Sequence, residues 1–399
     1  MHIIGIIAEY NPIHWGHIYL INKVKTKFPN SIIILITNSS FTERGEVSIL
    51  NKWDKTKISL DNNIDLVVEL PFAYATQSAD LFASGALKIL NKLQIDTLAF
   101  GSESNDLLKL ETIAETQLTN KEYDIKVKEY LSLGINYPTA MSKALTDIIG
   151  YTISTPNDLL AVSYLKEIKK QNYPIKPFTI QRIGNYHEKE VTNQTNSIIS
   201  ASLIRTLFEQ NKDITPFIPS NTKKYLYPNL SNETYFPYLK YKILSTKDLS
   251  IYQTVEEGIE NRIQKAILMS NSWEQLIQNI KTKRYTYNKI NRMLIHILTS
   301  FTKEEANNLN INYIRILGFN LKGKEHLNKL KKNLDIPLIT RYKKNISPLL
   351  DLEQRATSIY YLPIDPHQAI NEYKRKPIII IPEQADKPDT PLYTEIIDK

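Results

Sequence analysis

The sequence predicts an α/β protein: a parallel sheet with helices on both faces, followed by a mainly α-helical C-terminal part. Three observations predict it. Four short apolar runs, "HIIGII" (2–7), "SIIILIT" (31–37), "IDLVVEL" (64–70) and "IDTLAFGS" (95–102), recur through the first hundred residues. Segments of helical period separate them, among them "HIYLINKVKTKF" (17–28) and "QSADLFASGALKILNKL" (77–93). Beyond about residue 215 strand-like runs vanish, and Tyr and Lys become frequent. Runs that are apolar throughout belong to strands buried on both faces, which are parallel strands joined by helices.

Each element has its own justification. Residues 2–8 read as the first strand, and 17–28 as a helix with Ile18, Ile21, Val24 and Phe28 near one face. Residues 31–37 and 64–70 read as the second and third strands. The helix at 77–93 carries Leu81, Phe82, Ala86, Ile89, Leu90 and Leu93 on its apolar side, and 95–102 is the fourth strand. "PNDLLAVSYLKEIKK" (156–170) opens with Pro and closes with Lys, as a well-punctuated helix does. "PFTIQRI" (177–183) is a short strand, and "SASLIRTLFEQ" (200–210) is a helix opened by Ser. Helical stretches such as 255–269 and 290–301 follow. The boundaries expected are 1–220, 221–382 and a loose, Pro-rich tail at 383–399. In sheets of this kind ligands sit beyond the C-terminal strand ends, where strand order reverses. The segments after residues 8, 37, 70 and 100 are therefore where chemistry is expected.

Composition sets outer limits. A chain of 399 residues, 42% of them apolar, can bury a sizeable core. It has no cysteine, which excludes disulfides and thiolate chemistry. The N-terminus lacks the pattern of a signal peptide, and no apolar run is long enough to span a bilayer, so a cytoplasmic location is expected. Net charge is +8, which mildly favours a polyanionic partner.

The most informative stretch is "AEYNPIHWGHIYLINKV" (8–24). Asn11 and Pro12 break the chain after the first strand, and a helix begins near Gly16. A helix N-terminus offers free N–H groups and partial positive charge, and so binds phosphate. His14 and His17, three apart, add donors on the same side. Gly16 has no side chain, which leaves room for a nucleotide against the backbone. The bland alternative is two histidines that only cap and pack.

His14-x-Gly16-His17 resembles the H-x-G-H pattern of the nucleotidylyltransferase superfamily, on whose Rossmann-like domain a substrate nucleophile attacks an α-phosphate and pyrophosphate leaves. The resemblance narrows further. "AEYNPIHWGH" (8–17), "RGEVSILNKWDK" (44–55), "DLVVELPFAYATQSADLFASGALKIL" (65–90), "FGSE" (100–103) and "TPNDLLAVSYLK" (155–166) together resemble the bacterial tRNA(Met) cytidine acetate ligase family. "RIGNYHE" (182–188), "ISASLIR" (199–205) and "NYIRILGFNLKG" (312–323) agree with it. The resemblance implies an enzyme that activates acetate with ATP as acetyl-adenylate. It would then acetylate N4 of the wobble cytidine, position 34, of elongator tRNA(Met), releasing AMP and diphosphate.

The resemblance also implies roles. The ATP cradle would be Ile7, Ala8, Glu9, Tyr10, Asn11, Pro12, Ile13, His14, Trp15, Gly16, His17, Ile18, Tyr19 and Leu20, with His14 and His17 on the phosphates. Gly101, Asn157, Arg182 and Ile183 would complete it. "ISASLIR" resembles the second superfamily motif, in which Ser200, Ser202 and Arg205 hold the outgoing pyrophosphate. His14, His17 and Arg205 are the expected catalytic groups. Each has a plainer alternative: a strand-end turn at Gly101, helix caps at Asn157 and Ser200, an ion pair at Arg182. Two departures stand out. In "TNSSFTERGE" (37–46) the segment 38–43 differs from the family's usual Gly-Asn-Phe-Val-Gln, with Glu43 where Gln is usual, and Ser202 replaces Thr. Mg²⁺ bridging phosphates is expected on chemical grounds, although no dedicated carboxylate cluster, and hence no metal ligand, is visible.

An RNA partner calls for cations interleaved with aromatics. "KTKRYTYNKINR" (281–292) supplies Lys281, Lys283, Arg284, Tyr285, Lys289 and Arg292, with Tyr287 among them. Lys329, Lys331 and Lys332 lie in a second basic stretch, 315–344. Either stretch alone reads equally well as a solvated face. Competing readings are a small-molecule adenylyltransferase, usually about half this length, a class I aminoacyl-tRNA synthetase, for which no K-M-S-K-S segment is present, and a non-catalytic RNA-binding protein on a relic nucleotide fold.

Overall fold

The structure, a computed structural model, describes residues 2–183, 198–227 and 230–380. The expected tail at 383–399, and "RIGNYHE" beyond Ile183, lie outside the described residues. Eight strands form the sheet: β1 (Ile3–Ile7), β2 (Ile32–Asn38), β3 (Leu66–Leu70), β4 (Thr97–Ser102), β5 (Lys176–Gln181), β6 (Ile314–Asn320), β7 (Leu338–Ile339) and β8 (Ile378–Ile380). The order is β5-β4-β1-β2-β3-β6-β7, with β8 also on β6. The first five strands run parallel to one another. Strand order reverses at β1, which has β2 on one side and β4 on the other, so the ligand crevice is expected beyond Ile7 and Ser102.

The apolar runs explain the layers. Side chains alternate along a strand, so a run without polar residues feeds two cores. Ile4, Ile6, Ile33, Leu35 and Val67 pack with Ile21, Val24, Trp53 and Ile58, from the helices Trp15–Lys27 and Lys52–Asp61. Ile32, Ile34, Ile36, Leu66 and Val68 face the other way, against Phe82, Ala86 and Leu90 of Ala79–Lys92 and Val162 and Leu165 of Pro156–Gln171. Three helices that periodicity did not single out, Leu107–Thr119, Lys121–Ser132 and Tyr137–Ile149, fill the stretch between β4 and that last helix.

Beyond residue 215 the chain is mainly helical, as the sequence predicts, yet strand runs do not vanish there. β6 pairs antiparallel with β3, and β7 and β8 join β6. Arg315 hides β6 in the sequence, because it interrupts the apolar run. Its side chain is buried, with the guanidinium over the Trp53 ring at 5.8 Å.

A buried ion cluster ties this C-terminal part to the sheet. Lys52 Nζ lies 2.8 Å from Glu69 of β3, 2.8 Å from Glu372 and 3.9 Å from Glu353. Glu353 and Glu372 belong to the helices Pro348–Tyr361 and His367–Lys374, and Glu372 also accepts the Trp53 indole N–H at 2.7 Å. Burial opposes the ammonium charge, but the three carboxylates outweigh it and hold Lys52 above the usual lysine range. Removing one partner of a buried ion pair leaves the others uncompensated. Lys52→Met should therefore cost about 3–5 kcal/mol of stability, read from urea unfolding midpoints and slopes.

Candidate active site

The turn after β1 is held from several sides. Ala8 N–H still reaches the Ile36 carbonyl at 3.0 Å, and then the chain leaves the sheet. Tyr10 sits in the left-handed region at φ +48°. Asn11 accepts the Ile49 N–H at 2.9 Å through Oδ1 and donates to the Val47 carbonyl at 3.3 Å. Tyr10 and Ile13 are buried in the core, and the Trp15 indole donates to the Pro216 carbonyl at 3.0 Å. These members of the expected cradle thus hold the turn in place, while Ile7, Ala8, Ile18, Tyr19 and Leu20 pack half-buried around it.

His14 and His17 cap the helix Trp15–Lys27 reciprocally. His14 Nδ1 accepts the Gly16 N–H at 3.0 Å, and His17 Nδ1 accepts the His14 N–H at 3.2 Å. The rings lie 3.8 Å apart, centre to centre. A neutral imidazole that accepts at Nδ1 carries its proton on Nε2, so each ring retains one N–H donor. Burial, helped by the Arg182 guanidinium, lowers His14 to about 3; burial, His14 and Arg182 hold His17 well below the usual range. Both rings are neutral at pH 7. A Cβ on Gly16 would come within 2.8 Å of the His14 ring, so only glycine leaves that ring its place.

Across the reversal point, Arg182 leaves β5 with its N–H on the Ser102 carbonyl at 3.0 Å. Its side chain runs over Gly101, where a Cβ would meet Arg182 Cγ at 3.2 Å. Ile183 is exposed beyond it. Asn157 donates to Glu103 Oε1 at 2.6 Å, and Glu103 Oε2 takes the Asp158 N–H at 3.0 Å. Asn157 is therefore held by the carboxylate that closes "FGSE", the motif at the end of β4.

In the second motif Ser200 caps its helix, accepting the Leu203 N–H at 3.2 Å. Arg205 donates to the Asn11 carbonyl at 2.8 Å, to Glu46 at 2.6 Å and to Ser202 Oγ at 3.4 Å. Its guanidinium thus joins the first turn, the second motif and the 37–46 segment. That segment also reaches the C-terminal part: Arg292 donates to the Glu43 carboxylate at 2.8 Å and to its carbonyl at 3.1 Å. At Gly45, φ is +74° and a Cβ would lie 2.4 Å from the Arg292 nitrogen. Glu43, Gly45 and Glu46 are contact positions that a motif match displays without explaining.

The two basic stretches are not brought together. Lys281, Lys283 and Arg284 are exposed, and the last two line an open cleft with Gly134 and Arg262. Tyr285 is largely buried, and Lys289 Nζ sits 4.8 Å above its ring. Arg292 is turned inward to Glu43. Lys329, Lys331 and Lys332 are exposed, but they fall between His326, bonded to the Leu93 carbonyl, and Asp335, paired with Lys92. Residues 92–93 precede β4, so this cluster lies at the sheet end opposite the histidines. The spacing along the chain did not show that β6 runs antiparallel and carries its following helix to that end.

The family model described as HIGH Nucleotidyl Transferase matches residues 1–376. The tRNA(Met) cytidine acetate ligase of Anoxybacillus flavithermus is 36% identical over 95% of this chain and 100% of its own length. The chain belongs to the tRNA(Met) cytidine acetate ligase family. The ligases of Bacillus subtilis and Caldicellulosiruptor bescii are 36% and 37% identical over 92% and 95% of this chain, covering 93% and 99% of theirs. Two crystal structures of Thermotoga maritima TmcAL, one apo and one bound with alpha-thio ATP, are similar to it with TM-scores of 0.87 and 0.84. Each is 26% identical, with 96% of this chain and 100% of that one covered. The α/β nucleotidyltransferase fold is thereby established for the family member described here.

A histidine titrates near 6.5 when unfolded, whereas His14 does so at about 3 in the fold. Between those values the unfolded chain binds the extra proton. Stability is therefore whole above pH 6.5 and falls as pH drops toward 3. Denaturant titrations across that window should show the slope, and His14→Gln should make it shallower.

Proposed function

We propose that this protein activates acetate with ATP and acetylates N4 of the wobble cytidine, position 34, of elongator tRNA(Met), releasing AMP and diphosphate. The observation that carries the reading is the pair of neutral histidines at a helix N-terminus in the sheet's reversal point, on a chain aligned along nearly its full length with acetate ligases. A relative of the same fold binds an ATP analogue, which supports ATP as co-substrate.

In this reading the chain's own groups do the following. The helix N-terminus and the two Nε2–H donors receive phosphate oxygens, and Arg182 adds charge beside them. Arg205, with Ser200 and Ser202, steadies the departing diphosphate from the far side of the turn. Positioning and fixed donors supply most of the effect in nucleotidyl transfer. Mg²⁺ would accompany the phosphates of ATP; among the described residues no group of three or more His, Asp or Glu stands together to hold it, so no residue here is assigned to it. We assign nucleotide chemistry to 1–220 and tRNA contact to 221–382, with Lys281, Lys283, Arg284 and Lys289 on the stretch that leads to Arg292 and its contact with Glu43. Lys329, Lys331 and Lys332 would meet only a distant part of the tRNA. Among the described residues no helix is long and apolar enough to cross a membrane, in keeping with a cytoplasmic site of action.

Incubation with acetate, ATP and tRNA(Met), followed by mass spectrometry of the tRNA, should give N4-acetylcytidine only when all three are present; an unmodified tRNA overturns the reading. Loss of one fixed donor typically costs about 2.7–4 kcal/mol of barrier. His17→Ala should thus lower acetate-dependent ATP–pyrophosphate exchange by a factor of some hundreds. Binding of tRNA should weaken as salt rises from about 50 to 200 mM, with a smaller slope in a Lys281, Lys283 and Arg284 triple alanine variant.

A further inference from the structure

The acyl-transfer step needs a group that takes a proton from the cytidine amine. Most carboxylates near the crevice are already committed. Glu46 is paired with Arg205 and Glu43 with Arg292. Glu103 and Asp158 hold each other's turn and the helix start behind it. Glu69, Glu353 and Glu372 surround Lys52. The histidines are oriented by backbone N–H groups.

Glu9 differs. It is half-buried, two residues past β1. Its Oε1 accepts the Glu43 N–H at 2.6 Å, and among the described residues no donor reaches Oε2. The next residue, Tyr10, packs its ring 4.7 Å from that of His17. The residue that fixes Oε1, Glu43, is gripped by Arg292 of the helix Tyr287–Leu298, which continues the exposed basic stretch. Glu9 therefore stands between the groups suited to ATP phosphates and the surface suited to RNA.

We propose that Glu9 is the proton acceptor of acetyl transfer, its Oε2 facing the exocyclic amine of the target cytidine. The inference rests on the function proposed above. N4 attacks the acetyl carbonyl carbon, and an N–C bond forms. The bond from that carbon to the phosphate oxygen breaks, and AMP leaves with the electron pair. The N4 proton passes to Glu9 and then to water.

The groups facing Glu9 fit that task. Burial pushes its carboxyl up to about 7; the Glu43 N–H lowers it, the Glu43 charge raises it, and Lys55 and Arg44 lower it. Tyr164, buried nearby, stays protonated. Lys55 itself is brought down to about 7 by burial and donates to Asn38 and Ser39. A base is most effective with its pKa near the working pH.

The test supplies acetyl-adenylate and tRNA(Met) directly and follows single-turnover transfer from pH 5.5 to 9, with ATP–pyrophosphate exchange measured alongside. Wild-type transfer should rise about tenfold per pH unit below about 7 and then level. Glu9→Gln should lose that limb and fall about a hundredfold or more, while Glu9→Asp keeps the limb at a lower plateau. Glu43→Gln keeps its backbone N–H but removes a negative neighbour, so the limb should move to lower pH. A Glu9→Gln variant with the wild-type limb and plateau, or a Glu43→Gln variant with an unmoved limb, overturns the assignment. Wild-type protein that neither exchanges pyrophosphate with acetate nor acetylates tRNA overturns the underlying function instead.

Discussion

The site depends on one local arrangement: two imidazoles that cap the helix they stand on. The first N–H groups of a helix have no partner within it. Here His14 takes the Gly16 N–H, and His17 reaches back to the N–H of His14. The capping bonds set ring orientation and tautomer together, so the remaining Nε2–H of each ring has a fixed direction. The close stacking of the rings is tolerable because both are uncharged. The same burial that keeps them neutral also makes their donors stronger, since water does not compete. A charged pair 3.8 Å apart would repel.

The cap can persist only if the turn before it is rigid, and the turn is rigid because distant segments hold it. Asn11 binds residues 47 and 49 with its side chain and Arg205 with its carbonyl. Arg205 in turn holds Glu46, and Asn232 clasps both Gly45 and Val47 from the C-terminal part. Four segments far apart in sequence thus share one small polar network. Such networks are worth more than their separate pairs suggest, because each bond orients the next.

Much of this was legible in the sequence, for identifiable reasons. The strands β1 to β4 are uninterrupted apolar runs, and the helices between them carry a clear period. The histidine pair was readable because strand, turn and helix are contiguous in the chain. What escaped reading was everything made by packing. Arg315 hid β6, since a buried guanidinium on an aromatic face looks like a break in an apolar run. Arg292 looked like a surface cation, because sequence does not show that Gly45 brings the helix backbone within reach of Glu43. Lys329, Lys331 and Lys332 read with Lys281 as candidates for RNA because both stretches are basic and on one domain, whereas the antiparallel entry of β6 sends them to the other end of the sheet.

The segment "ERGE" at 43–46 then has a physical meaning that composition alone does not suggest. Its two carboxylates have different partners, Glu43 with Arg292 and Glu46 with Arg205. Between them Gly45 rests on the helix Tyr287–Leu298 with no space for a side chain. Gly45 thus leaves little room between that helix and the 43–46 segment. On either side of it stand Glu43, whose N–H positions Glu9, and Glu46, whose partner touches the first turn. Close-packed interiors compress little. The helix bearing the basic residues and the turn bearing the histidines are therefore joined by one continuous set of contacts, from Arg292 through Glu43 to Glu9 and from Glu46 through Arg205 to Asn11.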